Sequence, residues 1–288
     1  MSKHILVHLH LYYLKQLDGI LNKLQNLRAV NPDFDLYVTM VTESPEAEQK
    51  IKTFKADTHI IKLENRGYDV GPFLEVLRSV NLDNYDYVLK IHTKGVEASG
   101  YTHINGRRFD NKLWSALLFD ALLESEEQVK ADLQKLEKAE IGMLSAAFLV
   151  SDDKKLYQQF LPEINKILKS SGLPQTDKFK FVAGTMFWVK AKLLKPLQKY
   201  GLSDFEVTDG KIKDGTEAHC FERLFGALAE AQGCKVIGVY GFNSYKYEWN
   251  FILTRIKRFL FYKKHTKRGK ILIKICKIPV WIRKINKG

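Results

Sequence analysis

Asn65-Arg66-Gly67-Tyr68-Asp69-Val70-Gly71-Pro72-Phe73-Leu74, followed after an apolar segment by Tyr85-Asp86-Tyr87-Val88-Leu89-Lys90-Ile91-His92-Thr93-Lys94-Gly95, decides how this chain folds. Gly67 and Gly71 free the backbone where a strand ends, and Pro72 suits the first turn of a helix, where its missing N–H has no intrahelical acceptor to satisfy. Residues 86–94 are β-rich and end on a polar tip, His92-Thr93-Lys94. Open α/β sheets bind ligands outside the carboxyl ends of their strands, so two polar tips in one half of the chain predict a single crevice, which we read as the active site.

Toward the N-terminus the chain alternates strand and helix. Residues 5–10 form a short β run, and Leu14, Leu17, Leu21 and Leu24 recur at helical intervals within residues 12–27. Residues 35–42 give a second strand, Ser44-Pro45-Glu46 opens a helix with a capping residue before proline, and residues 58–63 give a third strand leading into Asn65. Repetition of β then α predicts a parallel, Rossmann-like sheet.

Toward the C-terminus the pattern lapses over residues 96–110, where Gly100, His103, Gly106, Arg107 and Arg108 accompany few apolar residues, and a mobile active-site loop is expected. Helices are predicted over 114–123, 126–138, 154–169, 190–200 and 217–231, the last closed by Gln232-Gly233. Strands are predicted over 141–147, 181–189 and 235–239, with Gly184 marking a close approach to the backbone and Phe187 and Trp188 in the core. A polar loop fills residues 201–215.

With 288 residues, 45% hydrophobic and 27% charged, the composition fits a soluble globular protein. The formal charge of +13 becomes informative once located. No acidic residue follows Glu248, and the last forty positions hold 13 Lys or Arg, which leaves 33 basic against 33 acidic residues before them. Cys220, Cys234 and Cys276 have no CxxC spacing and are odd in number, so neither a disulfide framework nor a zinc site is expected, and a reducing compartment suits them. Met-Ser-Lys-His-Ile-Leu-Val reads as the approach to a first strand rather than a secretory signal, and no stretch reaches the roughly 18 to 20 apolar residues that cross a bilayer.

Four ordered motifs now carry a resemblance: His10-Leu11-Tyr12-Tyr13, the Asn65 to Leu74 stretch, Lys90-Ile91-His92-Thr93-Lys94, and Ala218-His219-Cys220-Phe221-Glu222-Arg223-Leu224. Together they resemble the rhamnan synthesis protein F family of bacterial polysaccharide glycosyltransferases, across most of the chain. The resemblance implies an α/β, GT-A-like Rossmann-type mixed sheet flanked by helices over residues 1–248. It also implies transfer of rhamnose or another hexose from a nucleotide-sugar donor to a lipid-linked cell-surface polysaccharide precursor, with other polysaccharide-synthesis enzymes as partners. His10, Asn65, Arg66, Gly67, Thr93, Gly184 and Arg223 are then expected around the substrates.

Many GT-A enzymes hold a divalent metal on an Asp-x-Asp pair at the end of the central strand, and here His92-Thr93-Lys94 stands in that place. A cation there can neutralise a diphosphate directly, so Lys94, aided by His92 and by Arg66, Arg107 and Arg108, is expected to replace the ion, with no metal or other cofactor. Asp69 either contacts the donor's ribose or base or caps the helix that follows. By comparison with GT-A patterns, Glu217, six positions before Arg223, is the first choice for general base of an inverting transfer, with Asp209 and Asp214 as alternatives and helix-start charge compensation as its plainer role. His219 and Glu222 can share a helix face, whereas the adjacent Glu222 and Arg223 are not expected to face one another. His219 either touches substrate or makes a structural hydrogen bond.

Residues 249–288 form a basic tail read as two amphipathic helices, 249–264 and 270–285. Ile271, Leu272, Ile275, Ile278 and Ile282 fall on one helical face, with Lys270, Lys274 and Lys277 elsewhere and Trp281 as an interface-seeking ring. That pattern predicts binding to an anionic membrane surface, and hence a peripheral position on the cytoplasmic face of the plasma membrane. A helical hairpin packed on the body is the plainer alternative. The neutral body and the lack of a recognised motif speak against nucleic acid. A silent nucleotide-sugar or glycan-binding subunit, or a basic-tail membrane or nucleic-acid adaptor, are the functional alternatives.

Overall fold

In the computed structural model, residues 3–95, 101–208, 215–265, 270–276 and 278–284 are described. Two compact units divide the chain, Met1–Phe242 and Asn243–Gly288.

The first half of the larger unit runs β1 (Ile5–Leu11), α1 (Leu17–Val30), β2 (Phe34–Met40), α2 (Pro45–Phe54), β3 (His59–Lys62), α3 (Val70–Ser79) and β4 (Tyr87–His92). Each element follows from its residues. Leu17, Ile20, Leu21, Leu24 and Leu27 make the buried stripe of α1, and Ser44 Oγ accepts the Ala47 N–H at 3.2 Å to start α2 ahead of Pro45. Every residue of β1 and β4 is buried, as expected of strands covered on both faces, so their polar members His8, His10, Lys90 and His92 lie inside the protein.

The second half adds β5 (Tyr101–Ile104), β6 (Arg107–Asp110), α4 (Asn111–Leu123), α5 (Glu126–Glu137), β7 (Ile141–Ala146), β8 (Val150–Ser151), α6 (Leu161–Ser170), β9 (Phe181–Val182), β10 (Phe187–Lys190), α7 (Glu217–Ala231) and β11 (Lys235–Val239). Seven strands form the central sheet in the order β11-β7-β10-β4-β1-β2-β3. All neighbours pair parallel except β10, which runs antiparallel to both β4 and β7. The sheet is thus the GT-A-like mixed sheet expected. Register sets His10 beside both His92 and Thr39, which gathers the carboxyl ends of β1, β2 and β4 at one edge. Phe187 and Trp188 are fully buried, and Phe73 packs edge-on against Phe187 and Phe225.

Several expectations are corrected. The loop expected over 96–110 contains a β-hairpin, β5–β6, because Asn105 (φ 51°) and Gly106 (φ 70°) supply the paired left-handed residues of a tight hairpin turn. The strand expected over 181–189 is broken by a turn, where Gly184 (φ 95°) and Thr185 (φ 49°) both adopt left-handed conformations. Pro162 fits the first turn of a helix, so α6 starts at Leu161 behind two short 3-10 turns instead of at Lys154. A 3-10 segment, Ala191–Leu197, replaces the helix expected over 190–200 and carries Pro196 within it.

The smaller unit departs furthest. Among its described residues only the first part is helical, α8 (Phe242–Leu260), and an antiparallel three-stranded sheet follows, β12 (Phe261–His265), β13 (Lys270–Ile275) and β14 (Ile278–Lys284). Pro279 cannot sit inside a helix, and the β-branched run of Ile271, Ile273, Ile275, Ile278, Val280 and Ile282 favours strands. Pro279 falls on β14, an edge strand, where a missing N–H is tolerated.

Candidate active site

Two adjoining cavities open at the carboxyl ends of β1 and β4. The first, about 290 Å³, is lined by His10, Tyr12, Tyr13, Asn65, Tyr68, Asp69, His92, Thr93, Lys94, Gly95 and Thr208. The second, about 490 Å³, is bordered by Tyr68, Asp69, Lys94, His103, Trp114, Gly184, Thr185, His219, Glu222 and Arg223, among others. Tyr68, Asp69 and Lys94 belong to both and form the partition.

Asp69 is the electrostatic centre. Its Oδ2 accepts from Lys90 Nζ and from Thr185 Oγ1, and His92 Nε2 lies 3.5 Å away. Lys90, with no exposed surface, also donates to the Thr185 carbonyl at 3.0 Å. Burial opposes ionisation of Asp69, but the interactions with His92, Lys90 and Lys94 outweigh it and hold its carboxyl well below the usual range. Burial also drives His92 down to about 3, against the pull of Asp69, while both its ring nitrogens face carbonyls, Nδ1 that of Thr93 at 3.0 Å and Nε2 that of Gly184 at 2.8 Å; the partner that bonds the carboxylate directly is Lys90. Asp69 therefore neither caps α3 with its side chain nor reaches freely toward a ligand.

The turn between β9 and β10 completes the network. With two left-handed residues in succession, it points the Gly184 carbonyl at His92 Nε2 (2.8 Å) and the Thr185 carbonyl at Lys90. A Cβ on Gly184 would lie 2.8 Å from Trp114 Nε1, so this is the close approach that the glycine marked. The Gly184 N–H donates to Glu222 Oε1 at 2.6 Å, tying the turn to α7.

Lys94 lies beyond the network. Its ammonium stands over the Trp114 ring at 4.8 Å, and among the described residues no carboxylate is within ion-pair distance. Burial lowers its pKa, with Asp69 and Glu222 opposing. Gln16 fixes the Lys94 peptide from both sides, accepting from its N–H at 3.1 Å and donating to its carbonyl. Thr93 holds the opposite wall, its hydroxyl accepting the Tyr12 and Tyr13 N–H groups at 3.0 Å each. Both tyrosine rings stay over 40% exposed at the mouth of the first cavity.

Residues 65–68 are braced from behind by the segment preceding α7. Asn65 Nδ2 donates to the Thr208 carbonyl at 2.9 Å, and Arg66 bridges to Val207 through its backbone. Gly67 (φ 62°) has the Phe205 ring where a Cβ would be, 2.6 Å away. Tyr68 follows, also left-handed (φ 55°), and meets His219 edge-on at 5.6 Å.

Of the residues expected at the site, His10, Asn65, Asp69, His92, Thr93, Lys94, Gly184, His219, Glu222 and Arg223 line one cavity or the other. Glu217 does not. It is exposed at the first turn of α7, where burial and then the charges of Glu163 and Glu206 raise its pKa, and it borders neither cavity. Arg66 is drawn off to Glu64 (2.6 Å) and the Phe205 carbonyl (2.9 Å), and Arg107 lies over the Phe148 ring at 4.5 Å. Arg108 is exposed on β6 and, like Arg66 and Arg107, borders neither cavity. Gly67 serves the backbone rather than a ligand. Glu222 and Arg223 do pair, contrary to expectation, because the long arginine side chain doubles back to the neighbouring carboxylate. Asp209 and Asp214 lie outside the described residues.

Tyr12, Tyr13, Tyr68, Lys90, Trp114 and Thr185 are the site residues that sequence reasoning missed. Lys90 had a signal, a charge amid Val88, Leu89 and Ile91, which demands a buried counter-ion. Trp114 and Thr185 had none.

A mixed sheet with one antiparallel strand near its centre, and a crevice over the ends of its first and fourth strands, defines a GT-A-like α/β protein. Residues 1–234 match the model of Rhamnan synthesis protein F, and the chain belongs to that family. It is 30% identical over 239 residues to the uncharacterized protein WxcX of Xanthomonas campestris pv. campestris, in two strains, with 80% of this chain and 32% of the relative covered. The chain thus spans about a third of the length of these curated relatives. Among solved structures, the mannosyltransferase PcManGT from Pyrobaculum calidifontis, in complex with GDP-Man and Mn2+, is similar at 11% identity and a TM-score of 0.42, over 83% of this chain and 55% of that one. TarS 1–349 of S. aureus is similar at 11% identity and a TM-score of 0.41, over 83% and 59%. Both likenesses are too slight to bear on donor, metal or acceptor.

Proposed function

We propose that this protein is a glycosyltransferase that moves a hexose from a nucleotide-diphosphate donor to a lipid-linked precursor of a cell-surface polysaccharide. The observation that carries this reading is the pair of cavities sharing one partition, a cation on that partition, and exposed aromatic rings on one side only. Tyr12 and Tyr13 offer faces for a base in the first cavity, Lys94 meets the diphosphate, and the second cavity takes the acceptor.

Lys94 here does the work of a divalent metal. The nearby carboxylate, Asp69, is already engaged by Lys90 and Thr185, which supports a metal-independent transfer. Glu222 is tied to Gly184 and Arg223, so we assign proton removal from the acceptor hydroxyl to His219, in the tautomer whose Nδ1–H donates to the Thr216 hydroxyl at 2.6 Å and whose Nε2 lone pair takes the proton. Attack from that side inverts the anomeric centre.

A membrane position on the cytoplasmic face fits α8, where Tyr245, Trp249, Ile252, Leu253 and Ile256 form an exposed apolar stripe at helical spacing beside Lys246, Arg255 and Lys257. No helix among the described residues is long and apolar enough to cross a bilayer.

A donor screen on the full chain tests the assignment, with calorimetry for binding and released nucleotide for turnover, in excess EDTA and with added manganese. Binding and turnover should survive EDTA. Lys94→Ala should lose both, and His219→Asn should keep binding but lose about 10²-fold or more in turnover. Strict manganese dependence would overturn the metal-independent step, and absence of binding to any nucleotide sugar would overturn the whole reading.

A further inference from the structure

Beneath the first cavity two histidines share one hydroxyl. Thr39 Oγ1 lies 2.9 Å from His8 Nε2 and 3.0 Å from His10 Nδ1, and the three side chains are 0%, 0% and 3% exposed for Thr39, His8 and His10. His8 Nδ1 is buried without a partner, whereas His10 borders the first cavity. Both rings are neutral at ordinary pH: burial lowers His8 well below its usual value and His10 to about 4. The charged groups facing them are Asp69, which opposes the shift, and Lys90, which adds to it.

A neutral imidazole has one N–H and a hydroxyl has one O–H, so with both contacts kept as hydrogen bonds the protons can be placed in only three ways. If Thr39 donates to His8, then His8 carries its proton on Nδ1, a buried donor with no acceptor. If both histidines donate to Thr39, its own buried hydroxyl proton has no acceptor. In the third, His8 Nε2–H donates to Thr39 Oγ1 and Thr39 O–H donates to His10 Nδ1. Every buried donor is then paired and only a lone pair, on His8 Nδ1, goes unmet. Because orphaned buried donors are the rarer and costlier defect, the third arrangement prevails.

We infer that the His8–Thr39–His10 relay fixes the tautomer of His10, so that His10 presents an uncharged Nε2–H donor to the first cavity and selects a ligand atom that accepts a hydrogen bond, a base carbonyl or a diphosphate oxygen. Thr39 and His8 are positioning residues and His10 is the contact. The relay stands independently of any ligand, and only the identity of the accepting atom rests on the nucleotide-sugar reading.

Long-range 15N–1H correlation of the full chain, labelled on histidine nitrogen, tests the relay at neutral pH, with His10→Gln and His8→Gln assigning the signals. The expected result is an Nε2–H tautomer at both positions, with the His10 tautomer scrambled in Thr39→Val and restored in Thr39→Ser. An Nδ1–H tautomer or an imidazolium at His10 in the unaltered protein overturns the proposal without recourse to any variant. So does a His10 tautomer unchanged in Thr39→Val. Calorimetry with UDP, uridine and pyrophosphate then tests selection. Thr39→Val should weaken UDP about three- to tenfold, the worth of one oriented hydrogen bond, and Thr39→Ser and His10→Gln, which keeps a donor, should weaken it less. An effect carried over to uridine identifies the base, and one carried over to pyrophosphate the diphosphate; UDP binding that ignores Thr39→Val overturns the selecting role. Failure of every probe to bind overturns the nucleotide-sugar reading, while the tautomer still decides the relay.

Discussion

Asp69 and Lys90 form a buried pair whose members cannot be separated cheaply. Asp69→Asn removes the carboxylate charge opposite the Lys90 ammonium, which has no exposed surface and is left with neutral acceptors, the Thr185 carbonyl and the amide oxygen at position 69. Stranding a buried charge costs about 3 to 5 kcal/mol, so urea unfolding at neutral pH should show a loss of that size, and the double variant Asp69→Asn, Lys90→Met should recover much of it. A loss within the error of the method would contradict the network. The sign with pH follows from the depressed carboxyl: its contribution is whole above the ordinary value of 3.8 and drains as pH falls through the lower folded value. The gap between the parent protein and Asp69→Asn should therefore narrow only in strong acid. The sequence placed Asp69 at the crevice but not its role, because nothing in local spacing tells that Thr185, 116 positions away, reaches its carboxylate.

At the scale of elements, β1 holds His8 and His10 neutral inside the sheet, where burial brings His10 to about 4 and His8 well below its usual value. An unfolded chain protonates such groups near 6.5, so below that value it binds more protons than the fold and stability must fall with pH. Each histidine contributes up to about 1.4 kcal/mol per pH unit. Asp132, raised to about 6 by burial, acts in the opposite direction over part of the same range and offsets one of the two. Denaturant unfolding from about pH 7.5 down to about pH 5 should thus show a steady decline, and a flat profile would mean that the histidines charge within the fold. Strands β1 and β4 were legible in the sequence as alternating β and α, whereas the hairpin and the broken strand were not. Asn105-Gly106 was the missed cue, a hairpin turn hidden among basic residues that looked like loop. In the tail, Ile271, Leu272, Ile275, Ile278 and Ile282 fit one helical face while Ile271, Ile273 and Ile275 alternate as in a strand, and Pro279 was the residue that should have decided for strands.

Across the whole molecule, charge is divided as the sequence indicated: 33 basic and 33 acidic residues up to Glu248, and 13 basic with no acidic residue after it. Sedimentation with vesicles should find the full chain on anionic but not zwitterionic bilayers, with Trp249→Glu and Ile256→Glu together releasing it; equal binding to both would remove the electrostatic part of the membrane reading. The antiparallel strand has a consequence in time. β10 sits between β4 and β7, yet it emerges from synthesis after both, so the sheet cannot close from one end to the other. Until Lys190 has appeared, β4 is an open edge and Lys90 has neither the carbonyl nor the hydroxyl-braced carboxylate that Thr185 provides. Long-range pairing of this kind is slow, so β1, β2 and β3 should gain protection in pulsed hydrogen exchange before β4 does, and simultaneous protection would contradict the order. The crevice over the end of β4 cannot be complete before the turn ahead of β10 is in place.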